Sequence, residues 1–140
     1  MRFMIIRKSD ADTEAGVMPT EAQARAMVDY HAEMAKHLKI LGGDGLHPSS
    51  KGARVRFTDG KPMVIDGPFA ETKELIAGYT VVEAESLEAV LEWAKRWPMD
   101  CGGETNVELE IRRVFELEEL GDAFAQPTFR DHANTVFGRR

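Results

Sequence analysis

His31 is the residue whose type and position best suit acid–base chemistry in this 140-residue chain. It falls on the apolar stripe that Met27, Met34 and Leu38 form at helical spacing, where a structural helix would prefer another Leu or Met. Histidine exchanges a proton near neutral pH. The alternative is a core histidine whose ring is hydrogen-bonded to a backbone carbonyl, and the residues alone leave both interpretations open.

Asp66 is the carboxylate that could assist this histidine. It ends the apolar run Met63-Val64-Ile65 and precedes Gly67-Pro68, which breaks the strand. At such a strand end the side chain either points into a pocket or accepts hydrogen bonds from the next backbone N–H groups, as in an Asx-turn. In the first case His31 would act as general base or acid, and Asp66 would orient it or share its proton.

Asp44 and His47 flank a glycine-rich bend, where they either line a pocket mouth or act as turn residues. A metal site built from these two residues with His31 and His37 would match no known ligand spacing. The sequence therefore predicts no metal and no cofactor.

A cluster of basic side chains lies on the predicted hairpin of an otherwise acidic chain. It is either an ordinary solvated strand face or a clamp for an anionic small molecule, because Arg pairs well with carboxylate and phosphate. The cluster consists of Lys51, Arg54, Arg56 and Lys61.

Two strand–helix–strand units must position these residues. The first has a strand over residues 3–6, a loop over 9–18, and a helix that begins at a capping box of Thr20 and Gln23. This helix carries the stripe through Leu41 and is predicted to end at Gly42-Gly43.

The rest of the chain supplies a hairpin and the second unit. The hairpin covers residues 53–66 and turns at Asp59-Gly60. A strand over 78–84, a helix capped by Ser86 and stopped by Pro98, and a strand over 107–112 follow. The predicted fold is α+β, a ferredoxin-like βαββαβ domain with an inserted β-hairpin.

The first strand is apolar on both faces, which has a consequence for assembly. Phe3 and Ile5 oppose Met4 and Ile6, and one layer of helices covers only one face of a sheet. The sequence therefore predicts a homodimer whose sheets face each other. Residues 116–140 form an apolar extension that we expect to pack on the body or on the partner subunit.

A longer motif points to a family. The stretch Asp66-Gly67-Pro68-Phe69-Ala70-Glu71-Thr72-Lys73, continuing to Tyr79, resembles the signature of the DGPF branch of the YCII-related family. Gly43-Asp44-Gly45-Leu46-His47-Pro48 is similar to the family's Gly-Glu-Gly-Leu-x-Pro element, with Asp44 in place of the usual Glu. Gly102-Gly103-Glu104 is similar to its last loop.

The resemblance implies a YCII-related domain over residues 1–115 that pairs into a dimeric α+β barrel. It also implies a His–Asp pair suspected of catalysis, with the histidine on the first helix. The predicted catalytic residues are accordingly His31 and Asp66. The predicted substrate-binding residues are Asp44, His47, Arg54, Arg56, Lys73 and Tyr79.

Composition narrows the classes of function. A net charge of −6 argues against general nucleic-acid binding, which needs a basic face. One cysteine, no apolar run of membrane-spanning length and no signal-peptide core predict a cytoplasmic protein. Three functions stay open: binding of a small polar or anionic molecule in a sheet–helix pocket, an enzyme with a His–Asp acid/base pair, and a non-catalytic regulatory or structural dimer module.

Overall fold

The structure is a computed structural model that describes residues 1–99 and 106–138. Cys101 and the Gly102-Gly103-Glu104 match lie outside the described residues. The elements are, in order, β1 (Arg2–Lys8), α1 (Ala11–Glu14), α2 (Glu21–Met34), β2 (Lys39–Gly45), β3 (Ala53–Thr58), β4 (Lys61–Asp66), β5 (Ile76–Glu83), α3 (Leu87–Ala94), β6 (Leu109–Arg113) and α4 (Pro127–Val136).

The described strands form two antiparallel sheets. One has the strand order β2-β5-β1-β6, and β3 pairs only with β4 in a separate hairpin. Without the hairpin, the chain order is βαββαβ. The two central strands of the sheet are then β1 and β5, the first and third of the four along the chain, which is the ferredoxin-like arrangement. The predicted fold class is therefore confirmed, and the hairpin falls on the predicted residues 53–66.

The core lies between one face of the four-stranded sheet and the helices. Phe3 and Ile5 of β1 are buried there, 2% and 4% exposed, together with Met34 of α2 and Val90 and Trp93 of α3. Because side chains alternate along a strand, the residues between them lie on the other face of the sheet. We call that surface, which β1 and its neighbours turn away from the helices, the open face.

The predicted helix caps and the predicted hairpin turn are confirmed. The Thr20 hydroxyl accepts the Gln23 N–H at 3.1 Å, and the Gln23 side chain accepts the Thr20 N–H at 2.8 Å, so the capping box is present. Ser86 caps α3 by accepting the Ala89 N–H at 3.2 Å. The turn residue Asp59 has a φ of 52°, as a tight hairpin turn requires.

The end of the first long helix was predicted wrongly. α2 ends at Met34, and Gly42 and Gly43 lie inside strand β2 instead of stopping a helix. A turn from Ala35 onward still places Leu38 in the core, which is why the apolar stripe continued past the helix. Gly43 is required in β2, because a Cβ there would lie 2.7 Å from the Tyr79 carbonyl oxygen of β5.

The segment 9–18 was predicted as loop, but it contains the single helical turn α1. Asp10 begins this turn with its own capping box, since its carboxylate accepts the Thr13 N–H at 2.8 Å and the Thr13 hydroxyl accepts the Asp10 N–H at 2.8 Å.

No helix within residues 1–99 and 106–138 has the length and apolarity to cross a membrane.

The chain beyond β6 combines buried and exposed apolar residues. Leu117 and Ala133 are 5% and 6% exposed, whereas Phe115 and Phe129 are largely exposed. The beginning of this segment is tied to the body, because Arg2 Nε donates to the Glu116 carboxylate at 2.9 Å. Its packing on a partner subunit stays a prediction.

Candidate functional site

An open cavity of about 980 Å³ lies between α2, the segment that contains α1, and the four-stranded sheet. Its apolar wall includes Met27 and Val28 of α2, Ile40 of β2 and Trp97 after α3. Pockets that hold small molecules typically measure about 300–1,000 Å³ and combine an apolar wall with a few polar groups. This cavity has both the size and the composition of such a pocket.

His31 lies in the cavity wall with a fixed orientation. Its Nδ1 is 2.8 Å from the Met27 carbonyl oxygen, and its ring stands edge-on to Tyr30 with 5.1 Å between the ring centroids. A carbonyl only accepts hydrogen bonds, so Nδ1 must carry the hydrogen and donate it. In the neutral ring Nε2 then holds the lone pair, and it lies 3.4 Å from the Thr80 hydroxyl, which also lines the cavity.

Both interpretations of His31 are thus present in one side chain. The contact with the Met27 carbonyl is the structural role, and it selects the tautomer. The nitrogen that remains is the basic one, and the Thr80 hydroxyl at 3.4 Å can donate a hydrogen bond to it in the neutral ring. A ligand that enters beside Thr80 would meet a proton acceptor whose position is held by the helix.

A second polar region of the cavity contains Arg7 and Asp10. Arg7 is 9% exposed, and its guanidinium donates to the Lys8 carbonyl and to the Asp10 carboxylate, the latter at 3.1 Å. Burial opposes ionisation of Asp10, but hydrogen bonds from the Thr13 N–H and from Arg7 outweigh it and lower the pKa of Asp10. The two charges balance, so this region offers polar groups without a net charge.

Glycines form much of the sheet side of the cavity. Gly45 of β2 pairs with Gly78 of β5, Gly43 pairs with Thr80, and all three glycines line the cavity. A Cβ on Gly78 would lie 2.9 Å from the Asp44 carbonyl oxygen, so this position requires the absence of a side chain. The backbone is consequently exposed to the cavity, and Thr80 supplies the nearest side-chain hydroxyl on β5.

Three of the predicted site residues line the cavity: His31, Asp44 and Tyr79. The side chains of the last two point to the open face, because Tyr79 pairs with Ile6 across the sheet. There the Tyr79 hydroxyl donates to the Asp44 carboxylate at 3.1 Å. This hydrogen bond and the carboxylate charge raise the pKa of Tyr79.

The structure does not bring the other predicted site residues to the cavity. Asp66 is exposed at the end of β4, where it pairs with Ala53, so it is not placed beside His31. Arg54 and Arg56 lie on one face of the hairpin, and the Arg54 guanidinium lies 3.8 Å above the Phe69 ring centroid. His47 and Lys73 are exposed in connecting segments. These four side chains therefore lie away from the cavity wall.

The metal alternative gains no geometric support. His37 lies against Trp93, with 5.3 Å between the ring centroids, and not beside His31. Within the described ranges no three His, Cys, Asp or Glu side chains gather closely enough to hold a metal ion.

Sequence reasoning missed Arg7, Asp10 and Thr80. A signal for Arg7 was available, because Phe3, Ile5 and Arg7 alternate along β1 and a charged residue on the buried face of a strand needs a partner. The capping box of α1 was also visible as Asp10 and Thr13 at the spacing of three residues. Thr80 carries no signal of its own, since threonine is common in strands.

Comparison with known proteins identifies a family. The model of the YCII-related domain matches residues 1–117. An uncharacterised protein of Rhizobium meliloti (strain 1021) is 36% identical over 78 residues, which is 54% of this chain; the match covers 63% of that protein, less than two thirds of its length.

One solved structure shows a partial likeness. It is the 5-chloro-2-hydroxyhydroquinone dehydrochlorinase of Burkholderia phenoliruptrix AC1100 in complex with 2,5-dihydroxybenzoquinone, with 18% identity and a TM-score of 0.43 over 84% of this chain and 98% of that one. At that score, what the enzyme binds does not transfer to this protein. The family model, in contrast, spans most of the chain, and the protein belongs to the YCII-related domain family.

Proposed function

We propose that this protein, of the DGPF branch by its motif at residues 66–79, binds a small polar molecule in the cavity beside α2. The observation that carries the proposal is the cavity of about 980 Å³ with His31 Nε2 beside the Thr80 hydroxyl. An apolar wall with a few convergent polar groups is typical of small-molecule sites. A strongly anionic ligand has less support, because Arg54 and Arg56 lie on the hairpin and Arg7 is balanced by Asp10.

A second candidate function, an enzyme, is favoured by the tautomer of His31. A general base must have its lone pair directed at the substrate and its ring held in position. The Met27 carbonyl holds the ring in position through Nδ1 at 2.8 Å, and this contact leaves Nε2 as the base. Thr80 would then act as a positioning residue for the bound molecule. The geometry gives Asp66 no part in this arrangement.

The binding proposal can be tested with a library of small polar fragments and ligand-observed NMR. Ala24→Trp introduces a large side chain at an exposed α2 residue that lines the cavity, whereas Ala32→Trp makes the same change at an exposed α2 residue that does not line it. Fragments that bind the wild-type protein should lose binding in Ala24→Trp and keep it in Ala32→Trp. Equal binding to both variants would place the ligands elsewhere and contradict the proposal.

The role of His31 needs a separate measurement on the fragments that bind. Their affinity should change with pH near neutrality, where histidine exchanges its proton, and His31→Asn should flatten that dependence. Asn keeps a hydrogen-bonding side chain of similar size, so folding should survive. A pH dependence that is unchanged in His31→Asn would remove the proton-transfer role and leave only binding.

We also propose that the protein is a homodimer that pairs its open faces. Met4 and Ile6 of β1 lie there with Val81 of β5, all half-buried within one chain. A sheet with an apolar second face needs a cover of its own. Sedimentation at micromolar concentration should give the mass of a dimer, and a monomer at that concentration would contradict this part of the proposal.

A further inference from the structure

We infer, on the basis of the small-molecule site proposed above, that the cavity binds a flat, uncharged ring that carries a hydroxyl or ring N–H group. The ring lies against the strand backbone at Gly43, Gly45 and Gly78, and its O–H or N–H group donates a hydrogen bond to His31 Nε2. The proposed site thereby gains a class of ligand, and Gly45 gains a role in selecting it.

The sheet side of the cavity has a floor that is almost without side chains. Gly43 pairs with Thr80 and Gly45 pairs with Gly78, so these four residues, which we call the floor, form a rectangle on two neighbouring strands. Cross-strand partners share a face, and the floor belongs to the face that the helices cover, because Gly78 pairs with the buried Arg7 of β1. Strand geometry makes the rectangle about 7 Å long and about 5 Å wide, an area that one aromatic ring covers.

Gly45 differs from the other glycines of the floor, because packing within the described chain does not require it. A Cβ on Gly43 or on Gly78 would lie 2.7 or 2.9 Å from a carbonyl oxygen of the neighbouring strand, whereas a Cβ on Gly45 would meet no described atom within 4 Å. Glycine weakens a strand, and it often marks the close approach of another backbone or of a ligand. Since no backbone approaches Gly45 on the cavity side, the space beside it is assigned to the ligand.

The surfaces on both sides of the cavity favour a flat and uncharged molecule. A small patch of strand backbone without side chains is nearly planar, so a flat ring makes more dispersion contacts with it than a puckered ring does. On the other side of the cavity, Met27 of α2 offers a thioether, which packs favourably on aromatic rings. The charges of Arg7 and Asp10 balance each other in the wall, which favours a ring without a net charge.

His31 Nε2 determines which group the ring must carry. Its distance of 3.4 Å from the Thr80 hydroxyl is longer than that of an ordinary hydrogen bond, about 2.7–3.2 Å, so Nε2 can take a better donor. In the neutral imidazole Nε2 only accepts, and the ligand group that meets it therefore has to donate. Because Thr80 is one corner of the floor, an O–H or N–H group on a ring that lies there comes within reach of Nε2.

The first test compares three probes of one ring each by ligand-observed NMR on the full-length protein. The first probe, para-hydroxybenzamide, is flat and uncharged and has an O–H group. Its methyl ether lacks that donor, and trans-hydroxycyclohexanecarboxamide keeps the O–H group on a puckered ring. The first probe should bind at least about tenfold more tightly than either of the others. An affinity no higher than that of one of them, or no binding at all, would overturn the inference.

The second test fills the space beside Gly45. Gly45→Val places a side chain that suits a strand on the floor, so the variant should fold. Gly52→Val is the matched control, because Gly52 is extended, lies outside the cavity lining, and would bring its Cβ only to 3.5 Å from the Ser49 carbonyl oxygen. Gly45→Val should weaken the binding of para-hydroxybenzamide by at least about tenfold, and Gly52→Val should leave it unchanged. Equal binding by the two variants would remove Gly45 from the site and overturn the inference.

The fragment library separates a failure of this inference from a failure of the binding proposal. Fragments that bind the wild-type protein and are lost in Ala24→Trp place a binding site in the cavity, whatever their shape. If such fragments are found and para-hydroxybenzamide does not bind, the class of ligand is wrong and the binding proposal stands. If no fragment depends on Ala24, both the site and its ligand class are wrong.

Discussion

Tyr30→Phe tests the packing behind the cavity wall. Tyr30 is 8% exposed, and its hydroxyl donates to the Trp93 carbonyl at 2.5 Å, which joins α2 to the end of α3. That carbonyl also accepts the Arg96 N–H at 3.0 Å, so the substitution leaves it hydrogen-bonded to the backbone. The cost should therefore be that of one buried hydrogen bond, about 1 kcal/mol of the free energy of unfolding.

The pH dependence of this difference separates the hydrogen bond from a change in packing. Burial raises the pKa of Tyr30 to about 12, while the charge of Arg96 acts in the opposite direction. The fold thus favours the neutral phenol. Its contribution is complete below about pH 10, the ordinary value for tyrosine, and is lost as the pH rises through about 12.

Urea unfolding followed by tryptophan fluorescence measures both quantities. The wild type should exceed Tyr30→Phe by about 1 kcal/mol at neutral pH, and the difference should shrink as the pH rises above about 10. Titration of lysines affects both proteins alike and cancels in the comparison. A difference that stays constant into the alkaline range would show that the Tyr30 hydroxyl is not held as the structure has it.

Two further predictions concern the walls of the cavity. Gly43→Ala should lower the free energy of unfolding by about 1–3 kcal/mol, because its Cβ would lie 2.7 Å from a backbone oxygen of β5. Gly45→Ala is the control and should cost little, because a Cβ there would have nothing within 4 Å. Chemical denaturation of both variants measures the difference. Asp10→Asn keeps a capping oxygen for α1 but removes the charge that pairs with Arg7, so it should cost about 0.2–1 kcal/mol near neutral pH. Because the pKa of Asp10 is lowered in the fold, the stability that its charge contributes is present above about pH 4 and is lost as the pH falls through the pKa of the folded state. The unfolding curves of the wild type and Asp10→Asn should therefore converge in acid. A difference in stability that persists there would contradict the role given to the Asp10 charge.

The parts of the fold that were predictable are those that neighbouring residues determine. Thr20 with Gln23 and Asp59-Gly60 each fix a local structure by a short-range hydrogen bond or a backbone preference, and each is present. β2 is different, because glycines weaken a strand by propensity, and the reason for Gly43 lies in the close approach of β5. That approach joins residues about forty positions apart in the chain, and no local pattern reports it.

The cavity was harder to predict than the sheet that forms it. A cavity is a space that several elements leave between them, so its position depends on the packing of α2 against the sheet and on the turn α1. The sequence indicated His31 through its place on an apolar stripe. It gave no means to determine that Nδ1 bonds to the Met27 carbonyl, and this contact is what leaves Nε2 for chemistry.

The family motif has an architectural role that its residue types conceal. Asp66 and Lys73 are charged, and Gly67 and Pro68 suggest a loop around a ligand, yet the segment lies at the base of the β3–β4 hairpin. A Cβ on Gly67 would overlap the Ser49 carbonyl, so only glycine lets the two segments approach this closely.

The aromatic residue of the motif continues the same structure. Phe69 donates its N–H to Ser49 and receives the Arg54 guanidinium on its ring, a contact between a cation and an aromatic face. These contacts fix where the β3–β4 hairpin leaves the rest of the fold. Through Ser49, Glu14 links the base of the hairpin to the segment that borders the cavity. The motif therefore specifies the geometry at the base of the β3–β4 hairpin. The residues suited to chemistry lie on α2 and β5, and His31 is the only one of them that the sequence indicated.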